Sequence, residues 1–133
     1  MGYGGAVEGF FEGYARAFDA FDEAGISAFF AAPCMIVESG GTLLLRDTEQ
    51  VRANTAGILE HHRRSGYGRA EVVSVDVTTL GATLALAEVH WRIHHHDGSL
   101  LWDFRNTYNL TREDNGWRIR VSTTHQPEGA ATS

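Results

Sequence analysis

The sequence has few of the residues that mark specialised classes of protein. Its 133 residues include one cysteine, two prolines, no lysine, and 11 arginines against 17 aspartates and glutamates. The lone Cys34 excludes an internal disulfide and a cysteine-rich zinc site. The net charge of −6 argues against a nucleic-acid or anionic-membrane partner, because phosphate recognition needs a basic surface.

Long hydrophobic runs are also missing. No uninterrupted apolar stretch approaches the ~18 residues of a membrane span, and residues 1–7 lack the basic start and apolar core of a signal peptide. Apolar residues still make up 43% of the chain, the balance of a folded globular protein. We therefore expect one cytoplasmic domain over residues 1–133, ordered over about 5–126 and frayed over 127–133.

Hydrophobic periodicity predicts helices in the first half of the chain. Apolar side chains three and four apart predict a helix over residues 7–21. A second, short helix is expected to begin at an Asp22 cap and to end at Pro33, which has no backbone N–H to donate. A third runs from an Asp47 cap to Gly66. One face of this third helix is predicted to carry Val51, Thr55, Ile58, Leu59 and His62.

Short strands are predicted at 34–38 and 42–45, and longer ones at 69–79, 83–95, 100–110 and 117–125. Turns at 97–98 and 114–116 join the later strands as hairpins, which predicts an α+β fold with helices packed on one face of the sheet. Alternation places these residues on the covered face: Ala85, Ala87, Val89, Trp91 and Ile93; Leu100, Trp102, Phe104, Asn106, Tyr108 and Leu110; Trp117, Ile119, Val121, Thr123 and His125.

Two polar residues, Asn106 and His125, interrupt this apolar face, and each needs a partner. Asn106 fits a satisfied core amide, with Tyr14 as one candidate partner. His125 fits either a cavity group that titrates near neutral pH or a polar residue at a strand end. The run His94–His96 is not predicted to bind metal, because successive strand residues point to opposite faces.

The opposite face of the sheet mixes apolar and charged residues. Leu84 and Leu86 lie beside Glu88, His90 and Arg92. Such a face is either an ordinary solvated surface or an interface between two copies. We favour a homodimer through this outer face.

Three segments carry a family resemblance. They are YARAFDAFD at 14–22, GISAFFA at 25–31 and DNGWRI at 114–119, in this order across nearly the whole chain. Together they resemble the NTF2-like superfamily, also called the SnoaL-like or cystatin-like cone fold. The resemblance implies three N-terminal helices packed on a strongly curved, mixed, mostly antiparallel sheet, with a cavity lined by the inward residues.

Within that superfamily the first 38 residues are most similar to the ketosteroid (steroid Δ-isomerase) branch. Tyr14 matches the family's catalytic tyrosine in the first helix, and Glu38 matches its carboxylate base at the end of the first strand. Asn106 takes the position of the family's protonated aspartate. Glu38 stands where the family has an aspartate, which implies a base that reaches one methylene further. Asn106 stands in place of an acid, which implies a weaker second hydrogen-bond donor.

This set of residues suits acid–base chemistry on a small molecule. Proton abstraction beside a carbonyl needs a base within reach and donors aimed at the oxygen that becomes negative. We expect Glu38 to be the acid/base, Tyr14 and Asn106 to be the oxyanion donors, and His125 to be a further catalytic candidate. The expected ligand-binding residues are Phe18, Trp91, Trp102, Phe104, Tyr108 and Val121.

Each of these residues also has an ordinary structural explanation. Tyr14 and the tryptophans fit core positions, and Glu38 fits a solvated carboxylate beside a glycine turn. Three functions follow. The first is a cofactor-free isomerase, cyclase, dehydratase or epoxide hydrolase acting on a small apolar or polycyclic molecule. The second is a non-catalytic binder of such a molecule, and the third is a dimerising module without a ligand. We favour the enzyme, with no metal or cofactor.

Overall fold

The computed structural model describes residues 4–125, and the tail predicted to fray lies outside them. Within these residues the helices are α1 (Gly4–Asp19), α2 (Glu23–Ser27) and α3 (Thr48–Ser65). The strands are β1 (Phe30–Glu38), β2 (Gly41–Leu45), β3 (Tyr67–Thr79), β4 (Leu84–His95), β5 (Leu100–Glu113) and β6 (Gly116–His125).

The six strands form one mixed sheet in the order β2-β1-β6-β5-β4-β3. β1 runs parallel to β6, and every other neighbouring pair is antiparallel. The three helices pack on the concave side of this sheet. The predicted α+β cone, with a mostly antiparallel sheet, is confirmed.

The core lies between α1 and the middle strands of the sheet. Val7, Phe11 and Ala15 of α1 are buried in it. They pack against buried residues of β4, β5 and β6: Ala85, Ala87, Val89, Trp91, Tyr108, Leu110, Trp117 and Ile119. The alternation predicted for β4 is confirmed, since all five of its inward residues are buried. α1 thus closes the narrow end of the cone.

The first connection differs from the prediction. Asp22 caps α2 as expected, its Oδ1 accepting from the Gly25 amide at 3.0 Å. However, α2 ends at Ser27, and Pro33 lies exposed inside β1. The prediction that Pro33 ends the helix is therefore wrong. The strand accommodates the missing N–H because the β1–β6 register shifts between Phe30 and Met35.

α1 is also shorter at its end than predicted, because Phe21 adopts the left-handed conformation with φ 52°. The Phe21 amide donates to Phe18 at 2.9 Å and the Asp22 amide donates to Ala17 at 3.0 Å, which closes the last turn. This backbone region costs a non-glycine residue about 1–2 kcal/mol. Contacts of the Phe21 ring offset the cost: it lies 5.4 Å from Tyr67 and 4.9 Å beneath the Arg63 guanidinium.

The boundaries of α3 agree with their predicted signals. Asp47 accepts from the Gln50 amide at 2.9 Å, and Gln50 Oε1 accepts from the Arg46 amide at 2.7 Å. At the other end Gly66 takes φ 89°, and its amide donates to His62. A capping aspartate and a left-handed glycine therefore fix both ends of the helix that covers the wide end of the cone.

A β-bulge in β6 overturns part of the predicted inward face. Leu110 pairs with Ile119 but Asn109 pairs with Val121, so Arg120 is an extra residue in the ladder. One extra residue reverses the alternation beyond it. Val121 therefore lies on the outer side, and Ser122 is buried on the concave side. The predicted inward row of Val121, Thr123 and His125 is corrected to Ser122 and Thr124.

Gly68 marks a close approach between β3 and β4. A Cβ at this position would lie 2.5–2.6 Å from backbone atoms of His95 and His96. We expect Gly68→Ala to lower the free energy of unfolding by about 1–3 kcal/mol, because backbone atoms cannot move aside as a flexible side chain can. The measurement is urea unfolding followed by circular dichroism.

The matched control is Gly9→Ala on the exposed side of α1. A Cβ there has nothing within 4 Å. It should raise the free energy of unfolding by about 0.5–1 kcal/mol through helix propensity alone. Equal stability of the two alanine variants would contradict the close packing at Gly68.

Candidate functional site

The helices and the concave side of the sheet enclose a cavity of about 1680 Å³ that opens to solvent. It extends from α1 to a mouth formed by α3 and the ends of β1, β5 and β6. Its wall is rich in aromatic rings: Tyr14, Phe18, Phe30, Tyr67, Trp91, Trp102, Phe104 and Tyr108. A concave, mostly apolar surface with a few polar groups is the usual form of a small-molecule site.

Tyr14 supplies a hydroxyl to the deep part of this cavity. The residue is 7% exposed, and its ring packs edge-on against Phe18 at 5.1 Å and Phe29 at 5.4 Å. Within residues 4–125 no side chain or backbone group hydrogen bonds to this hydroxyl. Burial raises the pKa of Tyr14 well above its ordinary value of 10, so the hydroxyl keeps its proton and can act as a donor.

Trp91 and Tyr108 form a neighbouring wall whose polar atoms are already paired. The Trp91 Nε1–H donates to the Tyr108 hydroxyl at 3.1 Å. Both residues are buried, and burial raises the pKa of Tyr108 above its ordinary range. These two predicted ligand-binding residues border the cavity mainly as a rigid aromatic surface.

Asn106 lies on the concave face, 3% exposed, and both of its polar atoms have partners on β6. Nδ2 donates to Ser122 Oγ at 2.9 Å, and Oδ1 accepts from the Thr124 hydroxyl. The partner is therefore not Tyr14. Because a primary amide carries two N–H groups, one donor of Asn106 is left over on the cavity wall.

Glu38 shares the concave side of β1 with Ile36 and Cys34, and it borders the same cavity as Tyr14 and Asn106. It does so at the mouth, next to Ser39, where its side chain is exposed. The carboxylate therefore lies in water at the mouth and not in the apolar interior of the cavity.

His125 and Val121 are placed differently from the predictions. His125 borders the mouth of the cavity, but its Nε2 lies 2.9 Å from Thr107 Oγ1 on the outer face of the sheet. Val121 lies outside the cavity because of the bulge at Arg120. The sequence pattern could not reveal this, since an inserted residue leaves the alternation of residue types looking regular.

The other predicted ligand-binding residues, Phe18, Trp102 and Phe104, all border the cavity. Trp102 is half-buried near the mouth, where its ring stacks on His61 with centroids 5.7 Å apart and planes 15° apart. The mouth therefore has a flat aromatic edge that leads into the aromatic interior.

His62 is a cavity residue that the functional predictions missed. Its Nδ1 is buried and has no hydrogen-bond partner in the described part of the chain. The ring lies among Tyr67, Trp102 and Phe18 at 4.8, 5.6 and 5.7 Å. Burial lowers the pKa of His62 from 6.5 to about 4, and nearby His61 adds to the effect, so the ring is neutral at pH 7. A histidine on the apolar face of the third predicted helix was the available signal.

Charged groups are confined to the mouth of the cavity. Of the described residues that line it, none is lysine or arginine, and the two carboxylates, Glu38 and Asp103, are exposed. The interior polar groups are hydroxyls, amides and a neutral imidazole. The cavity therefore has no counter-charge for an ionic ligand.

The outer face of the sheet carries a ladder of ion pairs. Asp103 accepts from His90 at 2.7 Å and from Arg92 at 3.1 Å, and these partners hold the pKa of its carboxyl below the usual range. His94 pairs with Glu71 at 2.8 Å. Residues 4–125 contain no group of three potential metal-binding side chains, and no helix among them is long and apolar enough to cross a bilayer.

Comparison with known proteins agrees with this architecture. An NTF2-like protein with a cystatin-like fold from Novosphingobium aromaticivorans superposes with a TM-score of 0.76 at 16% identity, over 94% of this chain and 82% of that one. A cystatin-like domain of unknown function from Nostoc punctiforme gives 0.73 at 21% identity, over 92% and 75%. An NTF2-like protein of unknown function from Pseudomonas putida gives 0.73 at 19%, over 92% and 85%.

These identities establish a common fold and nothing about a shared ligand. No curated protein matches the sequence. A family model described as NTF2-like protein (DUF6841) matches residues 5–127, nearly the full chain. The chain therefore belongs to this NTF2-like family.

Proposed function

We propose that the protein binds a small, neutral, largely aromatic molecule in the cone cavity. The observation that carries the proposal is the Tyr14 hydroxyl, which lies deep in an aromatic-walled cavity and has no hydrogen-bond partner among residues 4–125. The raised pKa keeps the proton on this hydroxyl, which borders the cavity and can donate to a ligand oxygen. A phenylalanine at this position could not make that bond.

The charge distribution supports a neutral ligand. A charged molecule in this interior would lose its hydration without gaining a counter-ion, and such a transfer is strongly unfavourable. The exposed Glu38 carboxylate at the mouth would also repel an anion as it enters.

The binding test is a fluorescence titration with prodan, a neutral naphthalene ketone whose emission shifts to the blue in apolar surroundings. We expect saturable binding by the wild type and about 3- to 10-fold weaker binding by Tyr14→Phe, which is the effect of one lost hydrogen bond. The melting temperature of Tyr14→Phe should stay close to wild type, because the hydroxyl bonds to no described residue.

The matched control is Thr107→Val, which removes a hydroxyl from the outer face and should leave prodan affinity unchanged. Equal affinity of wild type and Tyr14→Phe would contradict the role of the hydroxyl. Absence of saturable binding by the wild type would contradict the proposed cavity function.

Acid–base catalysis is the second candidate, and the observation that favours it is that Glu38 borders the same cavity as Tyr14 and Asn106. The resemblance to the ketosteroid branch supports the same roles. A ketone bound with its oxygen at Tyr14 and its carbon acid toward the mouth would exchange α-protons through Glu38. In D2O, wild-type protein should then accelerate α-deuteration of acetylnaphthalene, followed by NMR, and Glu38→Gln should not. Equal deuteration rates for the two proteins would contradict catalysis by Glu38 and leave ligand binding as the proposed function.

We also propose a homodimer through the outer sheet face. The face presents acidic and basic side chains in alternation, and a two-fold axis can place unlike charges opposite each other. The charged residues are Glu71, Glu88, Arg92, Asp103 and Arg105. Sedimentation at micromolar concentration should show a dimer that Arg105→Glu weakens. A monomer at the highest concentration reached would contradict the proposal.

A further inference from the structure

His62 is an unusual residue for the wall of an otherwise well-paired cavity. Buried polar atoms nearly always have a partner, so each exception calls for an explanation. Nδ1 of His62 is the buried side-chain atom in residues 4–125 that lacks one. A leucine or phenylalanine would fill the same space on α3 without this cost.

The neighbours of His62 offer it nothing polar. The rings of Phe18, Tyr67 and Trp102 surround it, and the Tyr67 hydroxyl is already bonded to Asp19 at 2.7 Å. The ring of His61, the neighbouring histidine on α3, has its centroid 6.2 Å away. The described residues therefore leave Nδ1 unpaired, and the part of the imidazole that is not sealed borders the cavity.

The buried Nδ1 also indicates which proton the ring carries. An unpaired N–H is a costlier group to bury than an unpaired lone pair, because unsatisfied donors are rarer than under-satisfied acceptors in folded proteins. The preferred neutral tautomer therefore keeps its proton on Nε2, which is not sealed by the surrounding rings. In this form His62 offers the cavity a hydrogen-bond donor, as Tyr14 does.

We propose that His62 is a second donor to the ligand, and that the ligand is a flat aromatic molecule with two separate oxygen acceptors. One acceptor meets Tyr14 and the other meets His62. Both residues pack edge-on against Phe18, at 5.1 and 5.7 Å, so one small molecule can reach both. Trp102 lies 5.6 Å from His62 and provides a surface for the ligand's ring system. The inference rests on the proposed binding function and specifies its ligand.

The test compares two naphthalene probes, one with a single acetyl group and one with acetyl groups at opposite ends of the ring system. We expect wild-type protein to bind the diketone about 3- to 10-fold more tightly than the monoketone, through one additional hydrogen bond. In His62→Phe this preference should disappear while monoketone affinity is kept. His62→Gln, which restores a side-chain N–H, should recover part of it.

The control is His96→Phe, an exposed histidine of the β4–β5 turn, which should keep the wild-type preference. Stability gives a second readout: His62→Phe should melt at or above the wild-type temperature, whereas a structural imidazole would lower it. Equal wild-type affinity for the two ketones, or a preference that persists in His62→Phe, would overturn the role of His62. Failure of wild type to bind either ketone would instead overturn the binding function itself.

Discussion

Replacing Phe11 with alanine is expected to lower the free energy of unfolding by about 3–5 kcal/mol. Phe11 is fully buried where α1 crosses the sheet, and its ring lies 4.6 Å from Tyr108 and 6.5 Å from Trp91. Removing the ring leaves a gap that a helix resting on a curved sheet cannot close by collapse, so the cavity cost adds to the lost burial.

The same substitution should weaken ligand binding, because three residues that contact Phe11 also line the cavity: Tyr14, Trp91 and Tyr108. Urea unfolding measures the first effect and prodan titration the second. Phe10→Ala is the matched control, since this neighbouring ring is only partly buried and should cost about 1–2 kcal/mol. A cost for Phe11→Ala no larger than that for Phe10→Ala would contradict the packing at the narrow end of the cone.

Asn106→Leu should lower the free energy of unfolding by about 2–4 kcal/mol. The substitution removes the amide group that hydrogen bonds to the hydroxyls of Ser122 and Thr124 on β6. A buried hydroxyl that loses its partner costs about 1–3 kcal/mol. The amide therefore contributes to stability in addition to any contact that its second N–H makes with a ligand.

A compensating variant separates these two roles. Asn106→Leu combined with Ser122→Ala and Thr124→Val removes all the partners together, and such apolar replacement of a whole group is often nearly neutral. We expect it to recover most of the lost stability but none of any lost prodan affinity. If Asn106→Leu alone were as stable as the wild type, the hydrogen bonds across β5 and β6 would not contribute as described.

Local signals in the sequence were sufficient for much of the fold. The caps at Asp22 and Asp47 and the left-handed Gly66 follow from backbone chemistry that acts within a few residues. The alternation of β4 likewise reports directly on which face is buried. The three- and four-residue spacing of α1 predicts Tyr14 on the apolar side of the helix, and the family resemblance adds its place in the cavity.

The missed features depend on contacts between distant segments. In the sequence Pro33 is typical of a helix end, and only the pairing of β1 with β6 shows that it lies in a strand. The bulge at Arg120 likewise depends on the pairing of β5 with β6. The bulge is held in place by the Arg120 guanidinium, which donates to Ala31 O and Pro33 O, both at 3.1 Å. His62 was placed correctly on its helix face, but its missing partner is visible only once Phe18, Tyr67 and Trp102 surround it.

The central claim is that the Tyr14 hydroxyl meets a neutral aromatic ligand inside the cone. The most direct measurement is a crystal structure of the protein with the naphthalene diketone. The prediction is a ring system among the aromatic residues that line the cavity, with one ketone oxygen about 2.5–3.0 Å from Tyr14 Oη. Diketone density confined to the outer sheet face, or aromatic side chains filling the cavity, would contradict the claim.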